Sequence, residues 1–154
     1  MMWKTGKILA VSSPGGHWVQ LNKICNMLEE KHPVVYASPR SQYQLKKQGE
    51  RTVHNILDVS ADNKPMLIPL AFQMLYLFIK ERPQTIISTG AAPGVVAILL
   101  GKYLGIKTIW IDSIANVQQL SRSGRMIKAH ADVVITQWEP LSDGKTILHK
   151  GSVL

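Results

Sequence analysis

Short apolar runs alternate with helix-like stretches along almost the whole chain, and that alternation limits the fold more than any other feature. Ile8-Leu9-Ala10-Val11, Val34-Val35-Tyr36-Ala37, Thr52-Val53-His54-Asn55-Ile56, Gln84-Thr85-Ile86-Ile87-Ser88, Thr108-Ile109-Trp110-Ile111, Val133-Val134-Ile135-Thr136 and Thr146-Ile147-Leu148 read as strands by length and residue type. Helical patterns fall at 19–28, 66–79, 95–104 and 118–130, and a polar stretch at 41–49 ends on Gly49, a plausible helix stop. Strand and helix in turn predict an α/β fold with a mainly parallel sheet and helices on both faces. The 154 residues suffice for one domain, 1–154, with a real core, and 45% hydrophobic residues exclude disorder.

In such a sheet, ligands bind outside the C-terminal ends of the strands. Three marked turns belong on that edge. The first, Ser12-Ser13-Pro14-Gly15-Gly16-His17-Trp18, joins a buried strand to a helix start. Its glycines allow a tight turn and close approach of a ligand, and the free amides and helix dipole favour an anion such as phosphate. His17 lies in the first helical turn, where a neutral imidazole can accept a proton. The second turn, Thr89-Gly90-Ala91-Ala92-Pro93-Gly94, repeats this logic, with a proline in the first turn of the helix. The third, Asp112-Ser113-Ile114-Ala115-Asn116, follows the strand ending at Ile111. Asp112 is a second candidate base, or a helix cap for the segment after it.

Several functions are excluded. The first turn is not G-x-G-x-x-G, and the second strand ends in Ala37-Ser38 with no acidic residue for a ribose, so NAD is not expected. Gly144-Lys145-Thr146 resembles the end of a phosphate-binding loop, but it precedes a strand and Glu139 stands where its first glycine belongs. Ser12 and Ser13 lack the hydrolase elbow pattern. The histidines have no metal-ligand spacing, and the lone Cys25 rules out a disulfide framework and a cysteine-based zinc site. No metal and no cofactor are expected. A net charge of +8 points to an anionic partner, yet no nucleic-acid-binding signature accompanies it. No signal peptide is visible, which predicts a reducing, cytoplasmic setting.

The segment Met66 to Ile79 is almost wholly apolar. Leu67, Leu70, Ala71, Met74, Leu75 and Phe78 fall on one helical face, while Ile68, Phe72, Leu77 and Ile79 cover much of the rest. It is too short to span a bilayer, which takes ~20 apolar residues. Lys64, Lys80 and Arg82 flank it. The expectation is a helix that packs on the core and dips its other side into an anionic membrane, with Leu67, Phe72, Leu77, Lys80 and Arg82 in contact. The alternative is a helix buried against another protein.

The three turns, in order, resemble the acceptor-binding half of GT-B glycosyltransferases. More narrowly, the chain is similar to the bacterial PssD/CpsF proteins. Those are relatives of the membrane-anchoring subunit of the eukaryotic enzyme that adds the second N-acetylglucosamine to dolichol-diphosphate. It also resembles the N-terminal half of MurG-type transferases. The resemblance implies a Rossmann-like acceptor domain in a two-chain, UDP-sugar-dependent transferase of exopolysaccharide or capsule assembly. The donor-binding half would come from a separately encoded partner, and the acceptor would be a polyprenyl-diphosphate-linked sugar. His17, or Asp112, would be the base. Ser13, Gly15, Gly16, Thr89, Gly90, Ala91, Pro93, Gly94, Ser113 and Asn116 would bind the acceptor and its diphosphate. The expected location is the cytoplasmic face of the plasma membrane, held peripherally. The family's eukaryotic relative begins with a membrane-spanning helix, and none is read here. A rival reading is a non-catalytic scaffold that binds a protein through its apolar helix; a stand-alone flavodoxin-like enzyme lacks a cofactor fingerprint.

Overall fold

The computed structural model describes residues 6–39, 51–60 and 62–152. The helix expected at 41–49 lies outside the described residues. In chain order the elements are β1 (Ile8–Ser12), α1 (Gly16–Leu28), β2 (Val34–Ser38), β3 (Val53–Asn55), α2 (Leu67–Glu81), β4 (Thr85–Gly90), α3 (Ala91–Tyr103), β5 (Lys107–Ile111), α4 (Arg122–Ile127), β6 (Val133–Thr136) and β7 (Ile147–His149). Short 3₁₀ turns, Lys64–Met66 and Glu139–Leu141, precede α2 and β7.

The strands form one sheet in the order β3-β2-β1-β4-β5-β6-β7. Every neighbouring pair is parallel. From β1 the chain winds outward to β2 and β3, then returns to β4 on the other side and continues to β7. The reversal puts a topological switch point between β1 and β4, where open α/β sheets bind ligands.

Side chains of β1 alternate between two cores, as strand geometry requires. Leu9 and Val11 join Leu70, Met74, Leu77, Phe78, Ala97, Ile98 and Ile127, which come from α2, α3 and α4. Ile8 and Ala10 join Trp18, Leu21 and Cys25 of α1, with Tyr36 and Ile87. Helices therefore cover both faces, and β1 is buried along its whole length. Burial pushes the Cys25 thiol up to about 12, leaving it an inert small core residue.

Two helices differ from expectation. The pattern at 118–130 yields a helix only over Arg122–Ile127. Ser121 caps it by accepting from the Gly124 amide at 2.9 Å. The Ser121 amide and hydroxyl are in turn bound to Asp112, so residues before Ser121 stay in the loop. In α2 the buried residues are Leu70, Met74, Leu77 and Phe78. Leu77, expected at the membrane, is a core residue with 3% exposure. An apolar arc this wide does not define by itself which side faces the sheet.

Glu81 ties the end of α2 to the sheet, receiving hydrogen bonds from Lys7 Nζ at 2.9 Å and His54 Nε2 at 2.7 Å. Burial alone would raise its carboxyl, but the hydrogen bonds from Lys7 and His54 outweigh this and hold it below the usual glutamate range. The folded carboxyl thus titrates below the unfolded one. Its contribution is fully present above the ordinary glutamate range and is lost as pH falls through the depressed folded value. Glu81→Gln should cost about 1–3 kcal/mol at neutral pH. In urea titrations across acid pH, the gap between variant and wild type should close as Glu81 protonates.

Candidate functional site

β1, β4 and β5 are adjacent, so the three marked turns lie side by side on the C-terminal edge of the sheet. Each turn is held to another by side chains. His17, in the first turn of α1, and Thr89, at the end of β4, exchange two hydrogen bonds across the switch point. Thr89 Oγ1 donates to the His17 carbonyl at 2.7 Å. His17 Nδ1 lies 3.0 Å from the Thr89 carbonyl oxygen. A carbonyl only accepts, so Nδ1 carries a proton, and in the neutral form of the ring the lone pair lies on Nε2.

Gln20, one turn further along α1, reaches the third turn. Its amide Nε2 donates to the Asp112 carbonyl at 3.0 Å, and its Oε1 accepts from the Ile114 amide at 3.2 Å. Trp138 Nε1 donates to the Ile114 carbonyl at 2.7 Å from the other side. Asp112 is 1% exposed. Its carboxylate accepts from Trp110 Nε1 at 3.1 Å and from the Ser121 hydroxyl and amide at 2.5 and 2.8 Å. The sequence left two roles open, a base facing the cleft or a helix cap. The carboxylate is buried beneath the loop and holds Ser121, the cap of α4, which is close to the second. Ser113 and Asn116 sit above it, half-buried, in a turn closed by the Asn116 amide bonding the Ser113 carbonyl at 3.1 Å.

The starts of α1 and α3 meet at this edge. Like α2, neither has a side-chain cap, and neither has an acidic residue in its first turn. Their first amides have no intrahelical acceptor, so two positive helix ends face the switch point with no acidic residue in either first turn. Gly15 caps α1 at φ 85°, and Gly90 caps α3 at φ 148°. Ala91 follows at φ 65°, a left-handed conformation that costs an alanine free energy and that clusters at functional sites.

Of the expected ligand-binding positions, Gly15 and Gly16 are exposed, while Ser13, His17, Ala91, Ser113 and Asn116 are half-buried. Thr89 is buried, and its hydroxyl is committed to His17. Pro93 and Gly94 are buried against the sheet, contrary to expectation. A Cβ at Gly94 would lie 2.0 Å from Ser88 Oγ and 3.3 Å from Trp110, so a glycine there reflects packing of α3 on β4 and β5. Pro93 has no amide, which leaves Ala91 and Ala92 as the free donors of that turn. Gln20, Ser121 and Trp138 escaped sequence reading, because their roles depend on partners far away in the chain.

The Gly144-Lys145-Thr146 segment is a turn into β7. Asp143 Oδ1 accepts from the amides of Lys145, Thr146 and Ile147, each at 2.8 Å. Those amides are thereby used, and the likeness to a phosphate-binding loop is accidental.

On α2, Ile68, Phe72, Tyr76 and Ile79 form an outward stripe, 65%, 69%, 60% and 73% exposed. Lys80 and Arg82 are exposed beside it, and Leu67 is half-buried against the core. Lys80 Nζ stands 6.0 Å from the centre of the Tyr76 ring. Among the described residues no helix is long and apolar enough to cross a membrane.

A Cβ at Gly90 would come within 2.5 Å of His17 Cε1 and Nδ1. Gly90→Ala should therefore displace the imidazole as well as strain the turn. It should cost about 1–3 kcal/mol by chemical denaturation and shift the His17 ring signals in NMR spectra. Unchanged ring signals would show that the turn is looser than described here.

Comparison with known proteins agrees with this architecture. The family described as oligosaccharide biosynthesis protein Alg14 like matches residues 50–152. Two relatives, both named UDP-N-acetylglucosamine transferase subunit ALG14 and both from Cryptococcus neoformans var. neoformans serotype D, are 36% identical over 72 residues and 42% over 45. Those segments make up 43% and 29% of this chain and 31% and 20% of the relatives. Among solved structures, Acinetobacter baumannii MurG superposes with a TM-score of 0.80 at 11% identity, over 97% of this chain and 46% of that one. UDP-N-acetylglucosamine 2-epimerase from Rickettsia bellii gives 0.71 at 14%, over 96% and 45%. At such identities the likeness is one of fold, the Rossmann-like GT-B half that the motifs implied. The match over residues 50–152 places the chain in the Alg14-like family.

Proposed function

We propose that this chain is the acceptor-binding, membrane-associating subunit of a two-component, UDP-sugar-dependent glycosyltransferase of the PssD/CpsF type. It acts on a polyprenyl-diphosphate-linked sugar in exopolysaccharide or capsule assembly. The observation that carries this reading is the meeting of two uncapped helix starts at the switch point with His17 held between them. The amides of Gly16, Ala91 and Ala92 receive the acceptor's diphosphate, which the dipoles of α1 and α3 favour. Gly15 permits the close approach, and the Ser13 hydroxyl adds a further donor.

His17 is the general base. Donation from Nδ1 to Thr89 fixes the tautomer and aims Nε2 as an acceptor, in the way a carboxylate orients a catalytic histidine elsewhere. Nε2 takes the proton of the acceptor hydroxyl as its oxygen attacks the anomeric carbon of the UDP-sugar. The bond to UDP breaks on the opposite face, and the anomeric configuration inverts. The partner chain supplies the sugar nucleotide and steadies the departing UDP. Asp112, saturated with hydrogen bonds, positions the loop whose Ser113 and Asn116 meet the acceptor sugar.

The chain alone should show no sugar transfer from UDP-sugars to a lipid-diphosphate acceptor. Activity should appear when a separately encoded UDP-sugar-binding chain is added, and in that complex His17→Ala should lower kcat by about 10²–10⁴-fold while the fold persists. Transfer by the lone chain would refute the two-chain reading, and normal turnover by the variant would remove His17 from the chemistry.

The stripe of α2 seats the protein on the cytoplasmic leaflet. Lys64, Lys80 and Arg82 each add about 1 kcal/mol of attraction to an anionic surface. Co-sedimentation with anionic vesicles should be strong at low salt and weaker at high salt, and Phe72→Ser/Ile79→Ser should abolish it. If both proteins sediment alike, or neither does, the stripe is a surface for a protein partner instead.

A further inference from the structure

The exposed apolar surface is not flat. Between α2 and α3 lies an open groove of about 330 Å³, walled by Ile68, Ala71, Phe72 and Leu75 on one side and Val96 and Leu99 on the other. Its lining is hydrocarbon almost throughout. Both helices begin at the C-terminal edge of the sheet, because each must return the chain to the start of the next parallel strand. The groove is thus lined by the first half of α2 and the middle of α3. Val96 lies one helical turn beyond Ala92 on the same side of α3.

We infer that this groove holds the first isoprenoid units of the very lipid whose diphosphate meets Ala91 and Ala92. The inference rests on the diphosphate reading given above and adds a specific seat for the chain. Three observations favour a hydrocarbon occupant. Val96 of the lining lies one helical turn from Ala92, within the reach of one amphipathic molecule. The walls offer almost no hydrogen-bonding groups, and an extended peptide would bury backbone amides there without partners, at a cost that a hydrocarbon does not incur. The volume sits at the lower end of small-ligand pockets, which suits a short length of chain. The outer residues Tyr76 and Ile79 are not part of this lining and remain for the bilayer.

The test is calorimetric titration of the full chain, without vesicles and below micelle-forming concentrations, with inorganic diphosphate, dimethylallyl diphosphate and farnesyl diphosphate. Farnesyl diphosphate should bind at least about tenfold more tightly than dimethylallyl diphosphate, since burial of about two methylenes already gives that factor. Ala71→Phe and Val96→Trp, each filling the groove, should remove this gain yet leave binding of inorganic diphosphate unchanged. Ile79→Ser should keep the gain. Circular dichroism identifies a variant that fails to fold, and the other then decides. Equal affinity for the two prenyl ligands, or a gain that survives groove filling, overturns the chain seat and leaves the diphosphate reading standing. Failure of all three ligands to bind overturns both.

Discussion

A sheet whose neighbouring strands are all parallel cannot leave a face in water, and most of this molecule follows from that constraint. Each strand must be reached by a crossover, so helices accumulate on both faces and every strand-to-helix turn falls on one edge. With β1 in the middle, buried along its length, the turns after β1 and β4 are forced together. The chain needs only small residues at those turns for two helix dipoles to converge. The paired hydrogen bonds between His17 and Thr89 then lock the convergence, although the residues are far apart in sequence.

The strands and the edge that carries the site were legible because both depend on local signals. A run such as Ile8 to Val11 is apolar on both faces and admits few other readings, and two glycines before a helical pattern mark a turn wherever they occur. What could not be read depends on distant partners. The segment from Gln118 has acceptable helical spacing, yet it stays in a loop because Asp112 holds Ser121 by backbone and side chain. Leu77 was placed outward because α2 is apolar nearly all round, and only the sheet decides its rotation. Gly94 looked like part of an anion site for a sound reason, the need for small residues near a ligand. Its neighbour proved to be Ser88.

The candidate site also departs from local rules of stability. Both helices that start there lack side-chain caps, each worth about 1 kcal/mol when present, and Ala91 takes a conformation better suited to glycine. Elsewhere Ser121 caps α4, and Asp143 satisfies three amides of a surface turn, while α2 starts uncapped and ends on a left-handed Arg82. A bound anion at the switch point would satisfy the amides left open at the starts of α1 and α3. The family match begins at residue 50, beyond the His17 turn, so the case for His17 rests on this geometry.

Three tryptophans surround that place. Trp110 is fully buried and bonded to Asp112, Trp18 begins α1 beside Tyr36, and Trp138 holds the Ile114 carbonyl while remaining half-exposed. Indole emission responds to hydration and to hydrogen bonding of its N–H. The loop after β5 is thus wired to an optical probe, since Trp138, beyond β6, bonds it at Ile114, between Ser113 and Asn116. Occupancy of the edge becomes visible in the intrinsic fluorescence of the unlabelled protein, against a steady background from the ring sealed beneath it.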